Sequence, residues 1–182
     1  MRIKQAVGNI TVTQNGVTTT LKPGDPIPDI TDPNATFTAV NGEIDLQVNG
    51  KTIKAGPGAT FSVSVVNGAV NVTATGGVPV AVKTEDGHNV VLTGGSQVTM
   101  SPTTDGQVAI NVVSGNALVS DSSGGESQSL GTGQTIDVSS THVETAGETT
   151  TEGPRVVQPP PSTVTDSGII VESGSVSGSN PK

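Results

Sequence analysis

One pattern constrains this chain more than any other: the same sentence of residues is written four times. Started at a glycine, the copies run Gly8 to Asn41, Gly42 to Gly76, Gly77 to Ser114, and Gly115 to about Thr141, so their starts lie 34, 35 and 38 residues apart. A period of this size marks stacked supersecondary units, none of which can bury its apolar face alone. The third copy is the clearest, and its core is GVPVAVKTEDGHNVVLTGGSQVTM, residues 77 to 100. Val78, Val80 and Val82 alternate and so share one face of a strand. Asp86-Gly87 supplies the positive φ angles of a tight hairpin turn, Val90 to Leu92 returns, Gly94-Gly95 breaks the run, and Val98-x-Met100 restarts it.

The copies share their parts. Opening hairpins turn at Asn15-Gly16, Asn49-Gly50, Asp86-Gly87 and the longer Ser123-Gly124-Gly125. A common turn follows, apolar-x-x-Gly-x-x-apolar: Leu21, Gly24, Ile27; Ala55, Gly58, Phe61; Leu92, Gly95, Val98; Leu130, Gly133, Ile136. Glycine at one fixed place points to a left-handed backbone or a close approach of two backbones. A further strand closes each unit, as in Thr36-x-Thr-x-Val40, Val70-x-Val72 and Val108-x-Ile110-x-Val112. No stretch has a helical period, and the Thr, Val and Gly content works against one.

These features predict an all-β domain over residues 1–141, built of repeated antiparallel β-hairpin units in a β-sandwich or jelly-roll-like stack. A β-solenoid is the alternative, which the Asn-Gly hairpins disfavour because they pair strands antiparallel. With two Phe, no Trp and no Tyr, the core must be made of Val, Ile, Leu and Ala. After Thr141 the grammar fails. Residues 142–182 are rich in Thr, Ser, Gly and Pro, with Pro159-Pro160-Pro161 in the middle, a composition that predicts a disordered tail. One apolar run, Gly168 followed by Ile169, Ile170 and Val171, is a candidate interaction strand that could add to a sheet edge.

The formal charge of −8, with eight scattered basic residues, argues against nucleic acid or an anionic membrane as partner. No run reaches the roughly 18 apolar residues of a spanning helix, so no direct membrane insertion is expected. Zero cysteine removes disulfides and thiolate chemistry. The opening MRIKQAVGNITVT lacks the apolar centre of a signal peptide, so either export by that route does not occur or a leader has been removed.

At Gly8-x-Ile10-x-Val12 followed by Leu21-x-x-Gly24-Asp25-x-Ile27, the chain resembles the opening of the FecR-type domain of bacterial cell-envelope proteins. Two further segments carry the resemblance. They are Asp86-Gly87-x-x-Val90-x-Leu92-x-x-Gly95-Ser96-x-Val98, and Gly106-x-Val108-x-Ile110-x-x-x-x-Gly115-x-Ala117-x-Val119. It spans roughly residues 6 to 138 and implies a β module in the periplasm or outside the cell that works by contact with other proteins. The family's anti-sigma, transmembrane and C-terminal signalling parts have no counterpart here, and residues 28 to 76 add an extra unit. The opening also looks like the retention modules of large secreted adhesins.

Candidate chemistry is sparse. Asp25, Asp29, Asp32 and Asn34 gather in GDPIPDITDPN, an oxygen-rich loop that could hold Ca²⁺, although its spacing fits no established calcium loop and a solvated turn is the simpler reading. His88 beside the Asp86-Gly87 turn and His142 at the start of the tail read as exposed side chains, with no nucleophile or metal partner in the pattern. Glu43 and Asp45 share a strand face and could form a glycosidase acid pair, but no aromatic residues stand by to hold a sugar. Lys51 or Lys54 offers an ordinary cross-strand partner instead. No catalytic residue and no cofactor is expected. The sequence predicts a non-catalytic structural or protein-interaction module of an envelope or secreted protein, located in the periplasm, at the cell surface or outside the cell. The alternatives are a self-assembling surface or fibre subunit, an adhesin retention module and, behind these, a polysaccharide-active enzyme.

Overall fold

The alternating valines and isoleucines of the repeat turn inward in the computed structural model, which describes residues 1–144 except 124, 140 and 141. The strands are β1 (Arg2–Val7), β2 (Ile10–Gln14), β3 (Val17–Leu21), β4 (Asn34–Ala39), β5 (Glu43–Val48), β6 (Lys51–Ala55), β7 (Thr60–Val66) and β8 (Ala69–Ala74). They continue as β9 (Val80–Lys83), β10 (Asn89–Leu92), β11 (Gln97–Pro102), β12 (Val108–Ser114), β13 (Asn116–Ser120), β14 (Ser127–Gly131), β15 (Thr135–Ser139) and β16 (His142–Glu144). Seven form one sheet in the order β1-β5-β6-β9-β10-β13-β14, and nine form the other, β16-β15-β12-β11-β8-β7-β4-β2-β3. The two antiparallel sheets pack as an open sandwich around one apolar core, so the expected all-β sandwich of repeated hairpins is the fold.

The period has a simple structural meaning. Each of the later units lays one hairpin in the seven-stranded sheet and the next in the nine-stranded sheet: β5–β6 then β7–β8, β9–β10 then β11–β12, β13–β14 then β15–β16. Every new hairpin pairs with the last strand of the preceding one, as β6 with β9, β8 with β11, β10 with β13 and β12 with β15. Val80 and Val82 of β9 are fully buried, with Val78 packed against the same core. The two phenylalanines pair across β4 and β7, Phe37 on Phe61, with ring centroids 5.3 Å apart and an interplanar angle of 22°. Elsewhere the core is almost wholly aliphatic.

The recurrent glycine joins one unit to the unit before. Gly58, Gly95 and Gly133 donate their N–H groups to the carbonyls of Ala39, Ala74 and Val112, at 2.6, 2.7 and 2.7 Å. The acceptors end, or lie near the end of, the closing strand of the preceding unit. These residues return the bond: Ala39 donates to Ala59 O, Ala74 to Ser96 O and Val112 to Gln134 O, each at 2.9 Å. All four glycines of the shared turn have positive φ, +94° at Gly24, +83° at Gly58, +81° at Gly95 and +83° at Gly133. A side chain at Gly95 would meet nothing within 4 Å, so conformation, not crowding, selects glycine there. Crowding selects it at Gly42, the first residue of the second unit, where a Cβ would lie 1.6 Å from the Val7 carbonyl oxygen.

Three details depart from the sequence reading. The opening hairpin of the first unit, β2–β3, lies in the nine-stranded sheet, and β1 takes the place beside β5. After Gly24 no strand follows: residues 22–33 form a loop, Ile27 is exposed, and Ile30 reaches the core instead. The turn of this unit is not received by an earlier strand in the way that Gly58, Gly95 and Gly133 are, and its chain packs Ile30 into the core instead. Finally, Asp86 does not share the positive φ of Asn15, Asn49 and a third Asn-Gly turn at Asn67. Thr84 N bonds His88 O at 2.8 Å, so Glu85, Asp86 and Gly87 make a three-residue loop in which Gly87 alone is left-handed. At the other end β16 pairs with β15 just past residue 141; the tail from residue 145, with its Ile169 to Val171 run, lies outside the described residues.

A methyl group at Gly95 must be held in the left-handed region, at a cost of roughly 1–2 kcal/mol. Urea denaturation is therefore expected to show Gly95→Ala less stable by that amount and Gly95→Asn less affected, since asparagine tolerates this conformation. Gly42→Ala should cost more than either.

Candidate functional site

Polar side chains collect where the hairpins of the seven-stranded sheet end. The β9–β10 hairpin continues the inward alternation of Val82 and Val90 into Thr84 and His88, so a strand pattern that was apolar becomes polar while still facing inward. Thr84 is 3% exposed and His88 2%, which corrects the expectation of an exposed histidine. The Thr84 hydroxyl donates to Asp86 Oδ1 and lies 3.1 Å from the His88 carbonyl. His88 Nδ1 is 3.1 Å from Asp86 Oδ2, close enough for attraction but off the line that a hydrogen bond requires. Partial burial alone would raise the Asp86 pKa. The Thr84 hydroxyl, His88 and the residue's own backbone N–H outweigh it and hold the carboxyl below its ordinary value.

A neighbouring hairpin adds a cation. Lys51 opens β6 opposite Val48, with its side chain on the buried side of the sheet, and is 6% exposed. Burial pulls its pKa below the usual lysine value, and the negative field of Glu85 and Asp86 opposes that shift. Glu85 lies on bare backbone, since a Cβ on Gly50 would stand 2.6 Å from its Oε2. Sequence reading missed this grouping because Lys51 and Asp86 lie 35 positions apart. One signal was available. Thr84-x-Asp86-Gly87-His88 has a twin in Thr103-x-Asp105-Gly106-Gln107, which builds the same loop with Thr103 N on Gln107 O at 2.9 Å. Only the first copy puts a titratable ring at the last position. The group ties the β5–β6 and β9–β10 turns together, and among the described residues no three of His, Cys, Asp or Glu gather as a metal site.

The acidic loop serves the end of the stack. Asp32 accepts from Asn15 N at 2.5 Å through Oδ2 and from Asn34 N at 2.8 Å through Oδ1. These two backbone donors hold its pKa below the ordinary carboxylate value. Asp25 Oδ2 accepts from Lys22 N at 2.9 Å. The Gln14 amide bridges Asp29 O at 3.0 Å and Thr31 N at 3.1 Å. The oxygens proposed for calcium thus divide: Asp25 and Asp32 cap backbone N–H groups at separate places, and Asn34 begins β4 with its backbone N–H bonded to Asp32.

Glu43 and Asp45 stand on the outer face of β5, and Asp45 Oδ2 receives Lys54 Nζ at 3.0 Å from the register partner on β6. The depression beside them is floored by Gly56, Pro79, Ala81 and Val91, with no aromatic side chain. His142 lies on β16, of whose side chains nothing is described. No helix among the described residues is long and apolar enough to cross a membrane. Comparison of the chain with models of protein families, with curated proteins and with solved structures finds no match.

A carboxylate whose folded pKa lies below its unfolded value stabilises the fold above that unfolded value, and the contribution fades as pH falls through the folded pKa. Asp86, held below its ordinary value of 3.8, places this window below that value. Asp86→Asn is expected to lower the urea midpoint at pH 7, and the gap from wild type should close as pH falls below about 4. By the same logic, Asp32→Ala should lower the hydrogen-exchange protection factors of the Asn15 and Asn34 amides at neutral pH, and protonation of Asp32 in acid should lower the wild-type protection factors likewise.

Proposed function

We propose that this chain is a non-catalytic structural or protein-interaction module of a bacterial envelope or secreted protein, of the FecR type. The observation that carries the reading is the use to which the reactive side chains are put. Asp25 and Asp32 hold backbone N–H groups, Asp45 pairs with Lys54, and Asp86 is occupied by Thr84 and His88. What remains for function is extended surface: two broad sheet faces and the edges at each end of the stack. The repeat grammar that resembles FecR-type domains coincides with the elements that build this slab, from β2 to β15.

A membrane-impermeant cross-linker applied to intact native cells tests the proposal. Covalent adducts between the full chain and envelope or secreted proteins are expected, with partners reproducible between preparations. A chain that reacts only after lysis, and then with cytosolic proteins, would overturn the envelope assignment. A reproducible hydrolytic activity abolished by Glu43→Gln would overturn the non-catalytic one.

A further inference from the structure

The charges of this protein are distributed by sheet. Strands β2, β3, β4, β7, β8, β11 and β12 contain no Asp, Glu, Lys, Arg or His, although the chain carries a formal net charge of −8. All seven belong to the nine-stranded sheet and are contiguous in it. The seven-stranded sheet bears Arg2, Lys4, Glu43, Asp45, Lys51, Lys54 and Lys83, and the nine-stranded sheet carries its titratable residues on β15 and β16 at one end, Asp137, His142 and Glu144.

The solvent side of the neutral strands is a lattice of hydroxyls and amides. One row crosses the sheet through Thr18, Thr13, Thr36, Ser62, Thr73 and Gln97, each aligned with the next by strand register. A second runs through Asn34, Ser64, Asn71, Thr99, Asn111 and Thr135. Neighbours in these rows bond one another: Thr13 with Thr18 at 2.9 Å, Asn71 Nδ2 to Ser64 at 3.3 Å, Thr99 to Asn71 Oδ1 at 2.5 Å, and Asn111 Nδ2 to Thr135 at 2.6 Å. Such bonds fix the rotamers before any partner arrives and reduce the entropy lost on docking. Two valines on this outward side, Val66 and Val113, are 54% and 45% exposed.

We infer that this face docks on the same face of a second copy of the chain. Charge selects the occupant. Two copies at −8 repel wherever ionised groups oppose, and a neutral face is the approach with the least like-charge cost. Periodicity makes the face complementary to itself, because hydroxyls and amides both donate and accept and repeat at the same strand spacing on each copy. The seven neutral strands present roughly 29 Å by 20 Å, so a face-to-face pair covers close to the ~1,200 Å² at which specific interfaces begin. That area fits a reversible dimer, with Val66 and Val113 as its apolar anchors. The inference rests on the composition of one sheet and stands apart from the envelope assignment; a monomer would leave that assignment untouched.

Sedimentation velocity of the full chain over rising concentration tests it. A monomer–dimer equilibrium is expected, strengthened by salt, which screens the residual repulsion of two acidic copies. The double variant Thr36→Glu with Thr73→Glu should weaken the dimer at least about tenfold, as should Thr36→Lys with Thr73→Lys. An equimolar mixture of the two double variants should dimerise again, an outcome that misfolding would not give. Thr52→Glu, on the outer face of the other sheet, should leave the dimer intact. A monomer at every concentration, or a dimer insensitive to both double variants, would overturn the inference. So would a monomer that instead co-sediments with an insoluble neutral polysaccharide, which would assign the face to a glycan.

Discussion

The structure depends on a pair of backbone hydrogen bonds repeated between successive units: the left-handed glycine of each turn donates to the end of the preceding unit and receives a bond back. Where the chain crosses from one sheet to the other, its amides leave their ladder and would otherwise lie unpaired at the rim of the core. The preceding unit supplies their partners, so no unit is complete by itself. This coupling lets a chain with two aromatic rings hold a core made mainly of valine, alanine and isoleucine, because each thin layer is closed by the next. In the first unit, whose turn makes no such pair of bonds among the described residues, a proline-rich loop pinned by Asp32 and Gln14 takes the place of the crossing.

Polar chemistry follows from this architecture. A stack of hairpins has many turns, and each turn brings backbone donors to the surface. The carboxylates nearest those donors are the ones that look reactive in the sequence. Asp25 and Asp32 are engaged by backbone, and the Asp86 loop uses threonine and histidine to the same end. The described surface therefore divides into a charged sheet, a run of seven neutral strands in the other sheet, and turns whose carboxylates are engaged.

Much of the fold was legible because period-two alternation states directly which side chains turn inward. Val80, Val82, Val98 and Ile136 are buried as their spacing requires, and Gly24, Gly58, Gly95 and Gly133 share one backbone geometry as their alignment implied. His88 was misread because alternation gives the face of a residue but not how far the opposite sheet extends over the end of its strand. Lys51 was obscure for the same reason. Ile27 satisfied the motif and is nonetheless exposed, because the turn becomes a crossing only where an earlier unit can receive it. Asp86 was expected to turn like asparagine; the hairpin instead widened by a residue and left the positive φ to Gly87.

The stepwise pairing of hairpins has a kinetic consequence. Beyond the hairpins, strands pair with partners about one unit away in the chain, as Val70 with Met100 and Val108 with Val138, so folding can proceed as successive additions, each closing a loop of about one unit.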